Sequence, residues 1–149
     1  MPDRAAHALL LRDMDSYLRL QFLGVASQAG IAAALADGSA TQSALATRAG
    51  IADGELLDAF LELGVALGEL RRRGDRYSIK GRRLRAVAGR SADLKGLAEE
   101  VVGFGNVIYE AMGHHLRDGS TDDYLTGFGP IIAEASRMAE PALAPVIRT

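Results

Sequence analysis

Apolar residues recur at helical spacing between about Arg4 and Ala36. Two apolar stripes can be traced there, one through Leu11, Leu18, Phe22 and Val25 and the other through Leu10, Met14, Tyr17 and Leu20. A helix that packs on a single core needs only one such stripe. In so short a chain, the second stripe favours a helix that packs on its own domain and on a second subunit over a helix buried inside one large domain. A break is predicted near Gly24 or Gly30.

Two capped helices are predicted next, after a loop from Asp37 to Ala40. Thr41 occupies an N-cap position ahead of a short helix, which Gly50 ends as a left-handed C-cap with Ile51 folded back. Asp53 is the N-cap of a second helix that Gly68 ends. The buried stripe predicted for this second helix comprises Leu56, Leu57, Phe60, Leu63, Gly64 and Leu67. A short helix, a glycine turn and a longer amphipathic helix form a helix-turn-helix.

A β-hairpin is predicted to follow, with strands at 70–73 and 76–79 around Gly74-Asp75, a pair suited to a tight primed turn. Leu70, Tyr77 and Ile79 are predicted to point inward while arginines cover the outside. A helix-turn-helix with such a hairpin is a winged helix. After Lys80-Gly81, a basic segment at 82–85 is interpreted as leading to a loop at 89–91.

A long helix is predicted from about Ala92 to Arg117. Its apolar residues are separated by steps of three or four, as in helices that pack together: Leu94, Leu97, Val101, Phe104, Ile108 and Met112. Gly103, Gly105 and Gly113 weaken the helix, which indicates that another backbone or a ligand approaches closely. Beyond it we predict a loop at 118–121, a break at 127–130 and a final helix from about 131 to 138.

The composition fits a single domain with helical extensions. The chain has 149 residues, of which 48% are hydrophobic but only 5% aromatic, so a core of Leu, Ala, Val and Ile is expected. A net charge of -2 argues against bulk attraction to nucleic acid or anionic lipid. The sequence has no cysteine, which excludes disulfides and thiolate metal sites. The apolar runs at 8–11 and 30–36 are too short for a signal segment or a membrane span, and a cytoplasmic protein is predicted.

We predict no catalytic, cofactor-binding or metal site in this chain. Gly103-Phe104-Gly105 lies within a helical pattern, follows no strand and lacks a third glycine, so close helix packing is favoured over phosphate binding. His114 and His115 are neighbours that point about 100° apart on a helix and do not readily hold one metal. Asp122 and Asp123 are interpreted as capping residues.

Binding of DNA by the hairpin is the main alternative to a role in assembly. Arg71, Arg72, Arg73 and Arg76 lie in a basic segment that could contact phosphates, and such binding would weaken steeply as salt rises. The second helix of the helix-turn-helix argues against it. Its outward positions are predicted to be Asp58 and Glu62, with Glu55 and Glu69 as further candidates. A recognition helix needs Arg, Lys, Asn or Gln at those positions.

Short motifs through most of the chain point to one family. They are Leu23-Gly24-Val25-Ala26, Gly30-Ile31-Ala32-Ala33-Ala34-Leu35, Thr41, Leu45-Ala46, Gly50-Ile51, Leu61-x-Leu63-Gly64, Gly68-x-Leu70 and Tyr77-Ser78-Ile79. Tyr109-x-x-Met112-x-x-x-Leu116-Arg117-Asp118-Gly119 matches a helix end in which Trp and Leu are common at the first two positions. With these motifs, the chain resembles the N-terminal dimerisation domain of bacterial class I S-adenosylmethionine (SAM)-dependent methyltransferases, of the plant and actinobacterial O-methyltransferase type.

The resemblance implies that two such domains interlock and that their helices form the back wall of the pocket for a small-molecule substrate. In the family a Rossmann-like domain follows, binds SAM at an acidic glycine-rich turn and holds any catalytic base. That turn does not occur in this sequence, so cofactor and catalytic residues cannot be transferred to it. An expressed fragment, a truncated gene product and a stand-alone regulator are all compatible with this.

We therefore expect a mainly α fold, in which a winged helix-turn-helix with a small β-hairpin wing is flanked by N- and C-terminal dimerisation helices. Its parts are a dimerisation arm (1–36), a winged-helix core (37–90), and a long helix and linker helix leading toward an absent Rossmann-like domain (91–149). A homodimer is expected, without membrane or nucleic acid. The predicted subunit contacts are Leu11, Tyr17, Leu18 and Phe22. The predicted pocket residues are Phe104, Tyr109, Met112 and His115.

Overall fold

The computed structural model describes residues 3–89, 92–119 and 129–130. Over these residues the chain is mainly helical and has one small antiparallel sheet of three strands. The elements in chain order are α1 (Arg4–Gln28), α2 (Ile31–Ala36), β1 (Ala40–Thr41), α3 (Gln42–Ala49), α4 (Gly54–Ala66), β2 (Leu70–Arg73), β3 (Arg76–Ile79), α5 (Arg82–Ala88), α6 (Ala92–Glu100), a π-helical turn (Val101–Gly105) and α7 (Asn106–Asp118). The predicted break at 127–130 and final helix lie outside the described residues, apart from 129–130.

The predicted break in the first helix occurs at Gly30, which has a φ of 74°, and not at Gly24. Gly24 stays helical and lies against the long C-terminal helix. A Cβ atom there would lie closer than 3.0 Å to the side chain of Val102 and the carbonyl oxygen of Ala98. Gly24 therefore makes a close helix contact that was not predicted, and a close approach at Gly103 and Gly105 stays a prediction. At Gly113 the corresponding space is empty within 4 Å.

The predicted caps of the two central helices are confirmed. The Thr41 hydroxyl accepts a hydrogen bond from the amide of Ala44 (3.2 Å) at the start of α3. The Asp53 carboxylate accepts one from the amide of Leu56 (2.9 Å) at the start of α4. Gly50 adopts the left-handed conformation, with a φ of 67°, and ends α3. Because these caps satisfy amides that have no partner inside a helix, they fix where each helix begins.

The buried face of α4 is narrower than predicted. Leu57, Leu61 and Gly64 are buried, whereas Leu56 is 67% exposed and Leu63 is 40% exposed. The buried residues are four and three positions apart, which places them on one side of a helix. Leu56 and Leu63 lie seven residues apart on a neighbouring strip of the same helix, so the prediction that both are buried is wrong.

The hairpin of β2 and β3 forms as predicted, and a third strand joins it. Arg72 pairs with Tyr77 and Leu70 with Ile79 across the hairpin. The short strand β1 pairs with the other edge of β3, which gives the order β1-β3-β2. The sequence predicts a loop that ends at Ala40 and an N-cap at Thr41, because a strand of two residues is too short to show an alternating pattern.

Glu69 was predicted to face outward, but only 2% of its surface is exposed. Its carboxylate accepts a hydrogen bond from the amide of Leu84 (3.1 Å) and forms an ion pair with Arg83 (3.3 Å). Its backbone oxygen accepts hydrogen bonds from the amides of Lys80 and Gly81 (2.9 Å each). These contacts hold the first turn of α5, a helix that we had interpreted as a basic segment leading to a loop.

The predicted long helix is present, but the π-helical turn interrupts it and its contact face is displaced. The contact with α1 includes Ala98, which is buried, and Val102, which meets Gly24. Leu97 and Met112 of the predicted apolar stripe are exposed instead. The core of the described chain contains Phe22, Leu23, Ala26, Ile31, Ala32, Leu35, Ala40, Leu45, Leu57, Leu61, Leu67, Leu70, Tyr77, Leu84, Val87 and Ala98.

Replacing Gly64 by Ala is expected to destabilise the protein by about 1–3 kcal/mol, since overpacking displaces neighbouring side chains. A Cβ atom at Gly64 would lie 2.5 Å from the ring of Phe22 and 2.8 Å from Leu70. Urea unfolding followed by circular dichroism measures the change in the free energy of unfolding. Gly113→Ala is the matched control, because it is also a helical glycine but has open space around it. The control is expected to leave stability unchanged or raise it by up to about 1 kcal/mol. Equal effects of the two substitutions would contradict this packing.

Candidate functional site

The first four turns of α1 extend from the domain without packing on it. Every residue from 3 to 18 is exposed. The large apolar side chains on this segment are Leu9, Leu10, Leu11, Met14, Tyr17 and Leu18. A helix of this length with so few tertiary contacts is at best marginally stable in water. We call this segment the α1 arm, and its apolar surface is available to a partner.

Three of the four predicted subunit contacts, Leu11, Tyr17 and Leu18, are on the arm. Phe22 is not: it is 1% exposed and lies in the core of its own chain. Its ring stacks on Phe60, with 4.7 Å between ring centroids. Phe22 lies one helical turn beyond Leu18, the last residue of the arm, at the point where α1 enters the domain. Its side chain therefore has no surface to offer to a second subunit.

A second exposed apolar surface lies on α7. Tyr109 is 75% exposed, and Met112 and Leu116, on the same side of the helix, are also exposed. The end of the arm and the start of α7 are joined by polar contacts with Asn106. The Asn106 side-chain oxygen accepts hydrogen bonds from the Tyr17 hydroxyl (3.1 Å) and the Gln21 amide (2.9 Å). Its amide group donates to the side-chain oxygen of Gln21 (3.1 Å) and to the backbone oxygen of Val102 (3.0 Å).

A groove of about 250 Å³ lies beside the π-helical turn. It is lined by Glu100, Val101, Phe104, Gly105, Ile108 and Tyr109. Phe104 and Tyr109 of the four predicted pocket residues therefore line it. Met112 and His115 lie further along α7, and neither lines this groove among the residues described. Aromatic and aliphatic walls with one carboxylate suit a small, mostly apolar ligand. π-Helical turns occur frequently at functional sites.

Two larger cavities, of about 360 and 350 Å³, are built partly by α5. The first lies between α2, β3 and α5, and its polar lining comes from Ser39, Ser78 and Arg85. The second lies between α1, α5 and α6. We predicted neither, because α5 was not identified as a helix. In the part of the chain that the structure describes, no group of three His, Asp or Glu side chains could hold a metal ion.

Two of the four arginines predicted for DNA contact are used within the chain. Arg72 forms an ion pair with Glu62 of α4 (2.7 Å) and lies over the ring of Tyr77, 5.5 Å from its centroid. Arg76 donates hydrogen bonds to the hydroxyl (3.0 Å) and the backbone oxygen (2.5 Å) of Ser39. Arg71 and Arg73 are exposed on the other face of β2. The hairpin thus presents a smaller cationic surface than its sequence suggests.

Tyr77 and Glu62 form the polar contact between the hairpin and α4. The buried Tyr77 hydroxyl donates a hydrogen bond to Glu62 (2.8 Å). This bond, together with Arg72, lowers the pKa of the Glu62 carboxyl. Burial and the bond to Glu62 raise the pKa of Tyr77 to about 12. The pair is therefore held with a charged carboxylate and a neutral phenol.

No family model matches the chain, and no curated protein matches it either. Solved structures with a similar fold do exist. A crystal structure of LaPhzM superposes with a TM-score of 0.73 at 19% identity, covering 95% of this chain and 47% of that one. Human N-acetylserotonin methyltransferase in complex with SAM gives a TM-score of 0.61 at 20% identity, covering 87% of this chain and 39% of that one.

The fold occurs in a methyltransferase that binds SAM. The chain spans less than half the length of either protein. At these identities, the likeness concerns the fold alone. No helix in the described part of the chain is long and apolar enough to cross a membrane.

An alkaline titration of tyrosine absorbance is expected to show that one of the four phenols ionises near pH 12. Because the pKa of Tyr77 is raised from 10.0, its contribution to stability is complete below pH 10.0 and is lost as the pH rises towards 12. Tyr77→Phe removes the late step. Tyr109→Phe, which removes an exposed phenol, is the control and retains it. If Tyr77→Phe leaves the late step in place, the assignment is wrong.

Proposed function

We propose that the chain is the dimerisation and substrate-pocket-shaping domain of a SAM-dependent methyltransferase that acts on a small molecule. In this proposal the α3–α4 pair and the hairpin form a winged helix that serves assembly. The likeness to a SAM-bound methyltransferase supports the general class, and the α1 arm supports the role in assembly. SAM would be bound by another part of the parent protein.

The observation that carries the proposal is the exposure of the α1 arm. An exposed apolar helix surface of this length is rare on a monomeric soluble protein, where large apolar patches mark interaction sites. The arm continues directly into the core helix, and Asn106 joins it to α7. A second copy of the chain could therefore cover the arm and the exposed face of α7 together, which would bury Leu11, Leu18 and Met112 in one interface.

The groove beside the π-helical turn supports the role in shaping a pocket. Phe104 and Tyr109 line it, and Tyr109 lies on the same exposed helix that the second subunit would approach. A dimer would convert such an open groove into a more enclosed one. Enclosure removes water from the ligand and strengthens contacts with aromatic walls.

DNA binding is not favoured by the positions of the charged side chains. Glu55 and Asp58 are exposed on α4, and the carboxylate of Glu62 already pairs with Arg72 of the hairpin. Phosphates approaching the outer face of α4 would meet carboxylates.

Leu11→Glu combined with Leu18→Glu is expected to convert a dimer into a folded monomer, because two carboxylates would be buried without partners. Size-exclusion chromatography with light scattering gives the mass, and circular dichroism verifies the fold. The matched control is Leu56→Glu, which places the same charge on an exposed leucine of α4. A monomeric wild-type chain, or a control that dissociates equally, would contradict the role of the arm.

The gene tests the assignment to a methyltransferase. An open reading frame that continues past Thr149 into a hydrophobic strand and an acidic Gly-x-Gly turn is expected, since the methyltransferases that the chain resembles bind SAM at such a turn. A stop codon directly after Thr149 would contradict a catalytic domain in the same protein. It would leave a self-contained winged-helix protein as the better hypothesis.

A further inference from the structure

The cavity between α1, α5 and α6 combines apolar walls with two arginines. Its volume, about 350 Å³, lies in the range of small-molecule sites. Its lining comprises Leu20, Leu23, Arg82, Arg83, Ala86, Val87, Leu94, Leu97 and Ala98. We call it the α5 pocket. It is separate from the groove beside the π-helical turn, because the two share no lining residue.

The apolar walls of the α5 pocket form part of the folded core. Leu23, Val87 and Ala98 are buried, so this side of the pocket is held by the packing of the domain. Leu20 and Leu97 are exposed by 38% and 37%, and they border the opening. Among the residues described, no carboxylate lines the cavity. An apolar molecule entering it would replace water against aliphatic carbon, which is favourable.

The two arginines give the pocket a cationic side. Arg83 pairs with the buried Glu69, yet 63% of its side chain remains exposed. Arg82 is exposed and forms no ion pair in the described part of the chain. A guanidinium group presents donors in a planar fork that matches the two oxygens of a carboxylate. The pocket therefore has a donor group with unused capacity beside an aliphatic cavity.

We propose that the α5 pocket binds a small carboxylate with an apolar body, such as a medium-chain fatty acid. The aliphatic body would lie between Leu20, Val87 and Leu97, and the carboxylate would accept hydrogen bonds from Arg82. The charge of the lining selects this occupant over an apolar side chain of a second copy, which would leave the guanidinium of Arg82 without an anion. The proposal requires only this chain and does not depend on methyl transfer.

Titration calorimetry with octanoate and with octanol tests the proposal. The two probes have the same alkyl chain and differ in charge. Octanoate is expected to bind at least about tenfold more tightly, since only the carboxylate can form the charge-assisted pair with Arg82. Equal affinities, or no binding of octanoate, would overturn the proposal.

Two substitutions in the pocket and one control outside it locate the binding site. Arg82→Gln is expected to weaken octanoate binding about tenfold, to the level of octanol. The matched control is Arg71→Gln, which removes an exposed arginine from the hairpin and is expected to change nothing. Ala86→Leu adds bulk inside the pocket and is expected to abolish binding of both probes. If circular dichroism shows that Ala86→Leu does not fold, Leu97→Phe at the opening of the pocket is used in its place, with the same expected loss of binding.

The same titration in the Leu11→Glu, Leu18→Glu protein distinguishes a ligand-binding pocket from a surface that a second copy of the chain covers. Unchanged octanoate binding in that variant and in wild type is expected, because every lining residue belongs to one chain. Binding that occurs only in the variant would show that a second copy covers the pocket, and would overturn a ligand site in the assembled protein.

Discussion

The buried carboxylate of Glu69 fixes the relation between the hairpin and the second half of the chain. A buried charge is costly unless hydrogen bonds and an ion pair compensate it. Here the amide of Leu84 and the guanidinium of Arg83 do so, and a Cβ atom at Gly81 would lie closer than 3.0 Å to the carboxylate. The position of α5 follows from these contacts. Since α5 forms a wall of both larger cavities, Glu69 also determines where their arginines lie.

Helix α1 has an exposed first part, the arm, and a second part that packs in the core, and Arg19 lies at the boundary between them. Its guanidinium donates to the backbone oxygen of Leu67, at the end of α4, and pairs with Asp15 one turn back on the arm (2.8 Å). Beyond Arg19, the helix enters the core at Phe22. Before it, every residue of the arm is exposed, and Tyr17 near its end is hydrogen-bonded to Asn106. The exposed part of α1 is thus joined to the domain by Arg19 and by the hydrogen bond from Tyr17 to Asn106, and its apolar side chains remain available for assembly.

The sequence predicted the features that depend on neighbouring residues and missed those that depend on distant ones. The caps at Thr41 and Asp53 and the glycine ends of α3 and α4 need only local hydrogen bonds, so their residue types reveal them. The burial of Glu69 depends on Leu84, fifteen residues later, and no local pattern indicates it. Phe22 was assigned to an interface because both stripes of α1 are apolar, and periodicity does not tell which length of a helix meets the core. Phe104 and Tyr109 were predicted because they lie on the long helix with its permissive glycines, and both line the groove beside the π-helical turn, while their contact with a substrate stays a prediction.

The hairpin shows that the number of arginines in a segment does not give its exposed positive charge when their ion pairs are unknown. Along β2, Arg71 and Arg73 alternate with Arg72, which shares the inner face with Leu70. The inner position allows Arg72 to reach Glu62 of α4 while it lies over Tyr77, whose hydroxyl binds the same carboxylate. One carboxylate therefore connects the hairpin to α4 through two side chains. A hairpin that contacted DNA would need its cations directed towards phosphates. Here Arg72 is directed instead at α4, the helix that would have to read the bases. The acidic outer face of α4 and the basic hairpin stabilise each other, which is an arrangement for holding a domain together.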